Sequence, residues 1–300
     1  MGKDAPYNAF ALMSYGAPRS VDDVEAYLRG IRHGIPAEKS EVESLAARYA
    51  AIGGTSPIIS ITARLAVATE YKLYSEEGID SWVFIGMKHS YPKIEDMAKR
   101  IRAFGSIKKL TSLVLAPHFS SAGAGEYGEK LAEYMDGIET EVVRSWYNVA
   151  GFPDMWASRI SKVMQNNEDT LVIFTAHGLP KEKMREDDRY VEQVEESAEA
   201  IASKANISEY EVAFQGSSGR HGWLEPTLES KIEENKEAYA AFLIAPIGYV
   251  TDNLEILYDL DIEIKKLCTK LGKGYYRPEM PNDSQELASI IAHVLAEKSA

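Results

Sequence analysis

The acidic residues of one segment near the end of the chain recur at helical spacing. Asp252, Glu255, Asp259 and Glu263 follow one another at intervals of three, four and four residues. On an α-helix they share an arc of roughly 80° on one face. Like charges stacked in this way repel each other by a few tenths of a kcal/mol per pair, and a bound cation removes that repulsion. The row therefore indicates a helix face that handles a metal ion.

A histidine at the end of an apolar run is the second candidate. His177 follows Leu171–Ala176, a run typical of a buried strand. A neutral imidazole can bind a cation or accept a proton near pH 7, and a histidine with carboxylates suits a borderline divalent ion such as Fe²⁺ or Zn²⁺. Two structural alternatives stay open: a histidine bonded to a nearby carbonyl, and an acidic face that is only solvated. Asp252 has a further explanation, because a carboxylate at a helix start caps free amides.

Composition excludes several classes of protein. The 300 residues, 45% of them hydrophobic, are enough for one large or two medium domains. A net charge of −13 argues against a nucleic-acid or anionic-membrane partner, since either needs a basic face. The single cysteine, Cys268, leaves no intrachain disulfide and no iron–sulfur cluster. Without a leader or an apolar run of about 20 residues, we expect a soluble, cytoplasmic protein with no membrane span.

The chain alternates between β-rich runs and amphipathic helical stretches. This alternation predicts βαβ units, an α/β fold with parallel sheets, and two similar halves that meet near Tyr147–Pro153. Ligands of such sheets collect at the carboxyl ends of the strands. The predicted strands are Asn8–Ser14, Trp82–Lys88, Leu110–Pro117, Glu141–Trp146, Leu171–Ala176, Tyr210–Gln215 and Ala241–Ile247, and the clearest helices are Val21–Arg32, Glu38–Ala51, Ile58–Glu77 and Asp187–Ala205.

Two glycine-rich segments give weaker functional signals. Gly123–Gly128 matches the dinucleotide fingerprint G-x-G-x-x-G, but five residues separate the predicted strand from the first glycine, and the fingerprint needs its glycines in the tight turn itself. Gln215–Pro226 has the composition of a functional loop. A serine hydrolase that pairs Ser217 or Ser218 with His177 is disfavoured, because no G-x-S-x-G elbow is present.

Taken in order, a set of short motifs resembles the ferrochelatase family, in particular the short bacterial type that acts on coproporphyrin III. The resemblance covers nearly the whole chain. The motifs that carry it are Ser14–Pro18, Arg48-Tyr49, Ala51–Pro57, Ile85–His89, Leu115–Ser120, Ser145–Tyr147, Thr175–Pro180, Gln215–Pro226, Pro246–Glu263 and Tyr275–Pro281.

This resemblance implies a fold and a set of site residues. It implies two Rossmann-like halves around a porphyrin cleft: an N-terminal domain of residues 1–149, completed by a C-terminal helix at 283–298, and a second domain of residues 150–282 that carries the metal-handling residues. His177 and Glu255 become the catalytic, metal-handling pair, and Asp259 and Glu263 continue the acidic line as metal residues. The residues implied to bind porphyrin are Tyr15, Arg32, Arg48, Tyr49, Ser56 and Tyr127.

The resemblance also implies the substrates. Fe²⁺ is a substrate rather than a prosthetic group, a second divalent ion can bind at the acidic face, and the porphyrin is coproporphyrin III or protoporphyrin IX, with the first favoured. We expect a monomer. Two other functions stay open: a porphyrin or haem carrier that does not insert metal, and a cobalt chelatase of corrinoid synthesis.

Overall fold

The computed structural model describes residues 8–164, 169–217 and 219–299. Two four-stranded sheets, each with all neighbouring strands parallel, form its frame. The first sheet has the order β2-β1-β3-β4 and the second the order β6-β5-β7-β8. Their strands are β1 (Asn8–Ser14), β2 (Ser81–Met87), β3 (Lys109–Val114), β4 (Glu139–Val143), β5 (Thr170–His177), β6 (Tyr210–Gln215), β7 (Ala241–Ala245) and β8 (Gly274–Tyr276).

The two sheets repeat one topology. In each, the first strand of its half is central, the second lies on one side, and the third and fourth follow on the other. The predicted α/β class with two similar halves is therefore confirmed. The strand β8 was not predicted, because its three residues are too few to show an alternating pattern.

Helices connect the strands, as parallel pairing requires. Helix bounds agree with the clearest sequence predictions to within three residues at each end, apart from a short 3₁₀ turn at Val21–Asp23 that precedes the first helix. The α-helices of the described residues are α1 (Val24–Ile31), α2 (Lys39–Ala51), α3 (Ile58–Glu77), α4 (Ile94–Ala103), α5 (Glu126–Ala132), α6 (Phe152–Met164), α7 (Tyr190–Ala205), α8 (Leu228–Asn235), α9 (Lys265–Lys270) and α10 (Gln285–Ser299).

The segment that bears the acidic row is not an ordinary α-helix. Over Glu255–Ile264, here called the acidic helix, the turns are wider, and at its end the Lys265 N–H donates to the carbonyl of Leu260, five residues back. Wider turns keep residues four and five apart on one side, so the row stays on one face. The expected α-helical geometry is wrong for this segment.

The start of the acidic helix also differs from expectation. The side chain of Asn253 accepts a hydrogen bond from the Ile256 N–H at 2.9 Å, so Asn253 satisfies an amide of the first turn. Asp252 instead accepts from the Asn282 side-chain amide at 2.7 Å and lies 3.7 Å from the guanidinium of Arg277. The predicted capping role of Asp252 is therefore wrong.

The C-terminal helix returns to the first half of the molecule. α10 packs against α3, β3 and β4, and its apolar residues share one continuous core with residues of both sheets, among them Leu12 of β1 and Phe174 of β5. The division into domains at residue 150, with the last helix assigned to the first domain, stays a prediction. None of the described helices is long and apolar enough to cross a membrane.

The backbone that follows β7 passes very close to β5. A Cβ atom added at Gly248 would lie 2.6 Å from the Ala176 Cβ and 2.7 Å from the Ala176 Cα. We expect Gly248→Ala to lower the free energy of unfolding by about 1–3 kcal/mol, because the contact is with backbone that cannot turn away. Urea unfolding followed by far-UV circular dichroism measures this change.

Gly30 provides the matched control. It is exposed in α1, and nothing lies within 4 Å of a Cβ added there. Gly30→Ala should raise stability by about 0.5–1 kcal/mol, because alanine is the better helix former. Equal effects of the two substitutions would show that the approach of Gly248 to Ala176 is not a tight constraint.

Candidate active site

His177 is the last residue of β5, so the strand delivers its ring to the carboxyl end of the second sheet. Its Nδ1 lies 3.0 Å from the Tyr249 hydroxyl oxygen, and its backbone carbonyl accepts from the Tyr190 hydroxyl at 3.0 Å. Gly216 passes close to the ring, since an added Cβ would lie 3.3 Å from the imidazole Cε1. The ring is therefore held from several sides.

The surroundings of His177 keep its imidazole neutral. Burial lowers the pKa of His177 to about 4; the charges of Arg220 and Arg48 act in the same direction, and Asp259 opposes them. The loss of hydration outweighs the charge of the Asp259 carboxylate, so the net effect lowers the pKa of His177. A neutral ring carries a free lone pair near pH 7 for a proton or a metal ion.

Glu255 opens the acidic helix and is the electrostatic centre of the site. Burial raises the pKa of Glu255, and the charge of Arg48 only partly offsets the effect. The negative charge of Glu255 in turn helps to raise the pKa values of tyrosines from both halves of the chain, which places all of them within its electrostatic reach. They are Tyr15, Tyr27, Tyr49, Tyr127 and Tyr249.

Asp259 is one turn further along the acidic helix. Its carboxylate pairs with the guanidinium of Arg48 on α2, which joins the two halves. Burial still raises the pKa of Asp259, with Arg48 opposing and Glu255 adding to the rise. Glu263, at the outer end of the row, is exposed. No three His, Cys, Asp or Glu side chains among the described residues lie close enough together to hold a metal ion.

Aromatic side chains and a lysine of the first half lie close together around Tyr15. Tyr15, directly after β1, is 41% exposed, and its ring centroid is 4.6 Å from that of His89. The Lys88 Nζ lies 5.9 Å from the Tyr15 ring and 5.3 Å from the Tyr127 ring, and it pairs with Glu126. A flat, partly exposed tyrosine beside a held cation suits stacking against an anionic planar ligand.

The remaining predicted site residues have structural partners of their own. Arg32 ends α1 and pairs with Glu41 at 2.6 Å. The Ser56 hydroxyl accepts from the Ile58 N–H at 3.3 Å, so it satisfies the start of α3, and Tyr49 is 3% exposed. The charge of Glu255 acts on the pKa values of Tyr15, Tyr49 and Tyr127, and the charge of Arg48 acts on that of Glu255. The hydrogen bonds and ion pairs of Arg32 and Ser56 within the described residues are those given above.

Two further residues contact the predicted site residues in ways that sequence reasoning did not assign. The Tyr249 hydroxyl contacts the His177 ring across 72 residues of sequence. Lys88 follows β2, so the rule for strand ends could have found it, but its partner Glu126 is 38 residues away.

The two glycine-rich segments have packing explanations. An added Cβ at Gly128 would lie 2.9 Å from the Arg144 guanidinium, so this glycine gives that side chain room. The Ser217 hydroxyl donates to the Phe214 carbonyl at 3.3 Å, rather than to His177. Ser218 lies outside the described residues.

The fold and the strand-end site define a chelatase-like α/β protein. The structure is similar to SirB from Bacillus subtilis with Fe³⁺, with a TM-score of 0.60 at 12% identity over 98% of this chain and 97% of that one. It is also similar to CbiX, described as the terminal enzyme for biosynthesis of siroheme in denitrifying bacteria, with a TM-score of 0.55 at 12% identity over 98% and 99% of the two chains. Such low identities show the fold alone.

Sequence comparison identifies the family. The ferrochelatase family model matches residues 7–299. The chain is 36% identical over 299 residues to the coproporphyrin III ferrochelatase of Oceanobacillus iheyensis, with 96% of each covered. It is 34% identical over 301 residues to that of Geobacillus thermodenitrificans, with 96% of this chain and 95% of the relative covered. The chain belongs to the ferrochelatase family, which confirms the resemblance.

The neutral state of His177 is open to direct measurement. In a histidine-labelled protein, NMR titration should give His177 a pKa near 4, with the signal assigned by its loss in His177→Gln. Asp259→Asn should lower this pKa further, because the carboxylate favours the imidazolium and its removal leaves Arg48 unopposed. A His177 that titrates near 6.5, or whose pKa rises in Asp259→Asn, would contradict the electrostatics described above.

Proposed function

We propose that the protein inserts Fe²⁺ into coproporphyrin III as a step of haem biosynthesis. The family assignment supports metal insertion, and the names of relatives at 34–36% identity support the choice of porphyrin. One structural observation carries the proposal: the His177 imidazole ends β5 with its Nδ1 3.0 Å from the Tyr249 hydroxyl, and Asp259, one turn along the acidic helix from Glu255, pairs with Arg48 of the first half. Proton acceptors and metal donors are therefore proposed to line one cleft.

Metal insertion requires two pyrrole N–H protons to leave and a hydrated cation to lose its water. His177 is proposed to accept a proton, to bind the metal, or both, since its lone pair is free near pH 7. Glu255 has a raised pKa, so it takes up a proton more readily than an exposed carboxylate does. His177 and Glu255 are therefore the proposed catalytic pair.

The acidic helix is proposed to attract the cation and to lead protons away. Glu255, Asp259 and the exposed Glu263 form one row from the buried site to solvent. Burial disfavours the ionised forms of the two inner carboxylates, so a divalent cation that neutralises them gains more there than at the surface. A second divalent ion is proposed at this face.

The porphyrin is proposed to lie over Tyr15. Arg32, Arg48, Tyr49, Ser56 and Tyr127 are proposed to contact the macrocycle or its propionates. A rigid cleft that fits a bent macrocycle better than a flat one favours the transition state of metal insertion. Coproporphyrin III has four propionates and protoporphyrin IX has two, so a rim with cationic residues favours the first.

His177→Ala should lower the rate of iron insertion at least 100-fold, since general-base assistance contributes about 10²–10⁴-fold. The dissociation constant for metal-free coproporphyrin III should stay within about threefold of the wild-type value, because the His177 imidazole is not a proposed contact of the propionates. Anaerobic Fe²⁺ and the visible absorbance bands measure insertion, and porphyrin fluorescence measures binding. The control is His293→Ala, an exposed histidine on α10. Full turnover by His177→Ala would remove His177 from the mechanism.

Glu255→Gln tests the second catalytic group with little change in shape. We expect about a 100-fold loss of insertion rate with porphyrin binding preserved, because the amide can neither accept a pyrrole proton nor neutralise the metal ion.

If the wild-type protein binds porphyrin but inserts neither Fe²⁺ nor Co²⁺, the protein is a carrier and the proposed enzyme function is wrong. Faster insertion of Co²⁺ into a sirohydrochlorin-type ring would favour the cobalt chelatase.

A further inference from the structure

An arginine stacked on a tryptophan stands beside the proposed catalytic cleft. On the loop between β6 and α8, the guanidinium carbon of Arg220 lies 4.5 Å from the ring centroid of Trp223. The Trp223 N–H donates to the Arg220 carbonyl at 3.3 Å, and Gly222 between them has a φ of +79°, which glycine adopts without strain. The turn and the stack together hold the guanidinium in place.

This turn is fastened to the segment that follows His177. The Lys181 N–H donates to the Gly222 carbonyl at 2.9 Å, and the Leu224 N–H donates to the Leu179 carbonyl at 2.9 Å. Hydrogen bonds on both sides of Trp223 therefore tie the turn to the backbone just beyond the catalytic strand. Trp223 also forms an isolated β-bridge with Pro180, so the turn that bears Arg220 lies against the segment that begins directly after His177.

Arg220 has no acidic partner among the residues that the structure describes. Its side chain is exposed and stacks on Trp223, and among the described residues it forms no ion pair or side-chain hydrogen bond. Arg48, the other cation that acts on His177, is already paired with Asp259. In a chain with a net charge of −13, an ordered and unpaired guanidinium beside the site is complementary to an anion from outside the protein.

We propose that Arg220, held over Trp223, binds a carboxylate of the porphyrin on the His177 side of the cleft. The inference rests on the proposed function and adds a contact from the second half of the chain to the set already assigned, whose members all lie in the first half. A guanidinium can bind a carboxylate through two parallel N–H···O bonds, so the contact would also fix the orientation of the macrocycle. Arg220 is thus a substrate-binding residue rather than a proton acceptor.

Binding of metal-free coproporphyrin III, followed by fluorescence at low and high salt, tests the contact without any chemistry. Arg220→Gln should weaken binding about tenfold at low salt, as expected for loss of a hydrogen-bonded charge pair. It should also reduce the dependence of the dissociation constant on salt, because one screened ion pair is gone. Arg102→Gln, on the exposed side of α4, makes the same change in net charge away from the cleft and should leave binding unchanged.

Trp223→Leu separates the stack from the charge. It should weaken binding less than Arg220→Gln and keep the salt dependence of the wild type, because the guanidinium remains but is no longer held. If the wild type binds porphyrin and Arg220→Gln binds within twofold of Arg102→Gln, the proposed contact is wrong while the proposed function stands. If the wild type binds no porphyrin, the proposed function itself is wrong.

Discussion

The burial of two carboxylates against a single guanidinium is the constraint on which the site depends. Glu255 and Asp259 are both half-buried and lose hydration, and among the residues that the structure describes only Asp259 of the two has a direct cationic partner, Arg48. A carboxylate that is poorly hydrated and has no cationic partner costs free energy unless a proton or a cation neutralises it. In the proposed mechanism, this arrangement favours the two species that metal insertion moves, H⁺ and a divalent metal ion.

The repeated topology explains how one cleft receives groups from distant parts of the chain. β1 and β5 occupy the same central place in their sheets. Tyr15 directly follows the first of these strands and His177 ends the second, so the two residues stand at corresponding carboxyl ends. In the proposed site, one copy of the motif therefore supplies an aromatic residue and the other supplies an imidazole. The Arg48–Asp259 ion pair is one of the contacts that join the two halves.

Local patterns predicted seven of the eight strands of the described residues and the four clearest helices, because burial imposes a periodicity on the order of apolar residues. The features that sequence reasoning missed or misjudged depend on geometry that no pattern carries. Intervals of three and four residues occur in an α-helix and also fit the wider turns of the acidic helix, so spacing alone could not choose between them. The roles of Asp252 and Lys88 were set by Asn282, Arg277 and Glu126, partners 25 to 38 residues away. Such partners become neighbours only after the chain has folded.

The position of α10 in the sequence affects the order in which the two halves can fold during synthesis. α10 contributes its apolar face to the surface formed by α3, β3 and β4, yet it follows every strand of the two sheets in the chain and so leaves the ribosome after them. Translation proceeds from the N-terminus and domains tend to fold as they emerge. All the strands of the second sheet are therefore synthesised before α10 can cover the remaining apolar face of the first half. The half that is synthesised first is thus completed after the second sheet has been made.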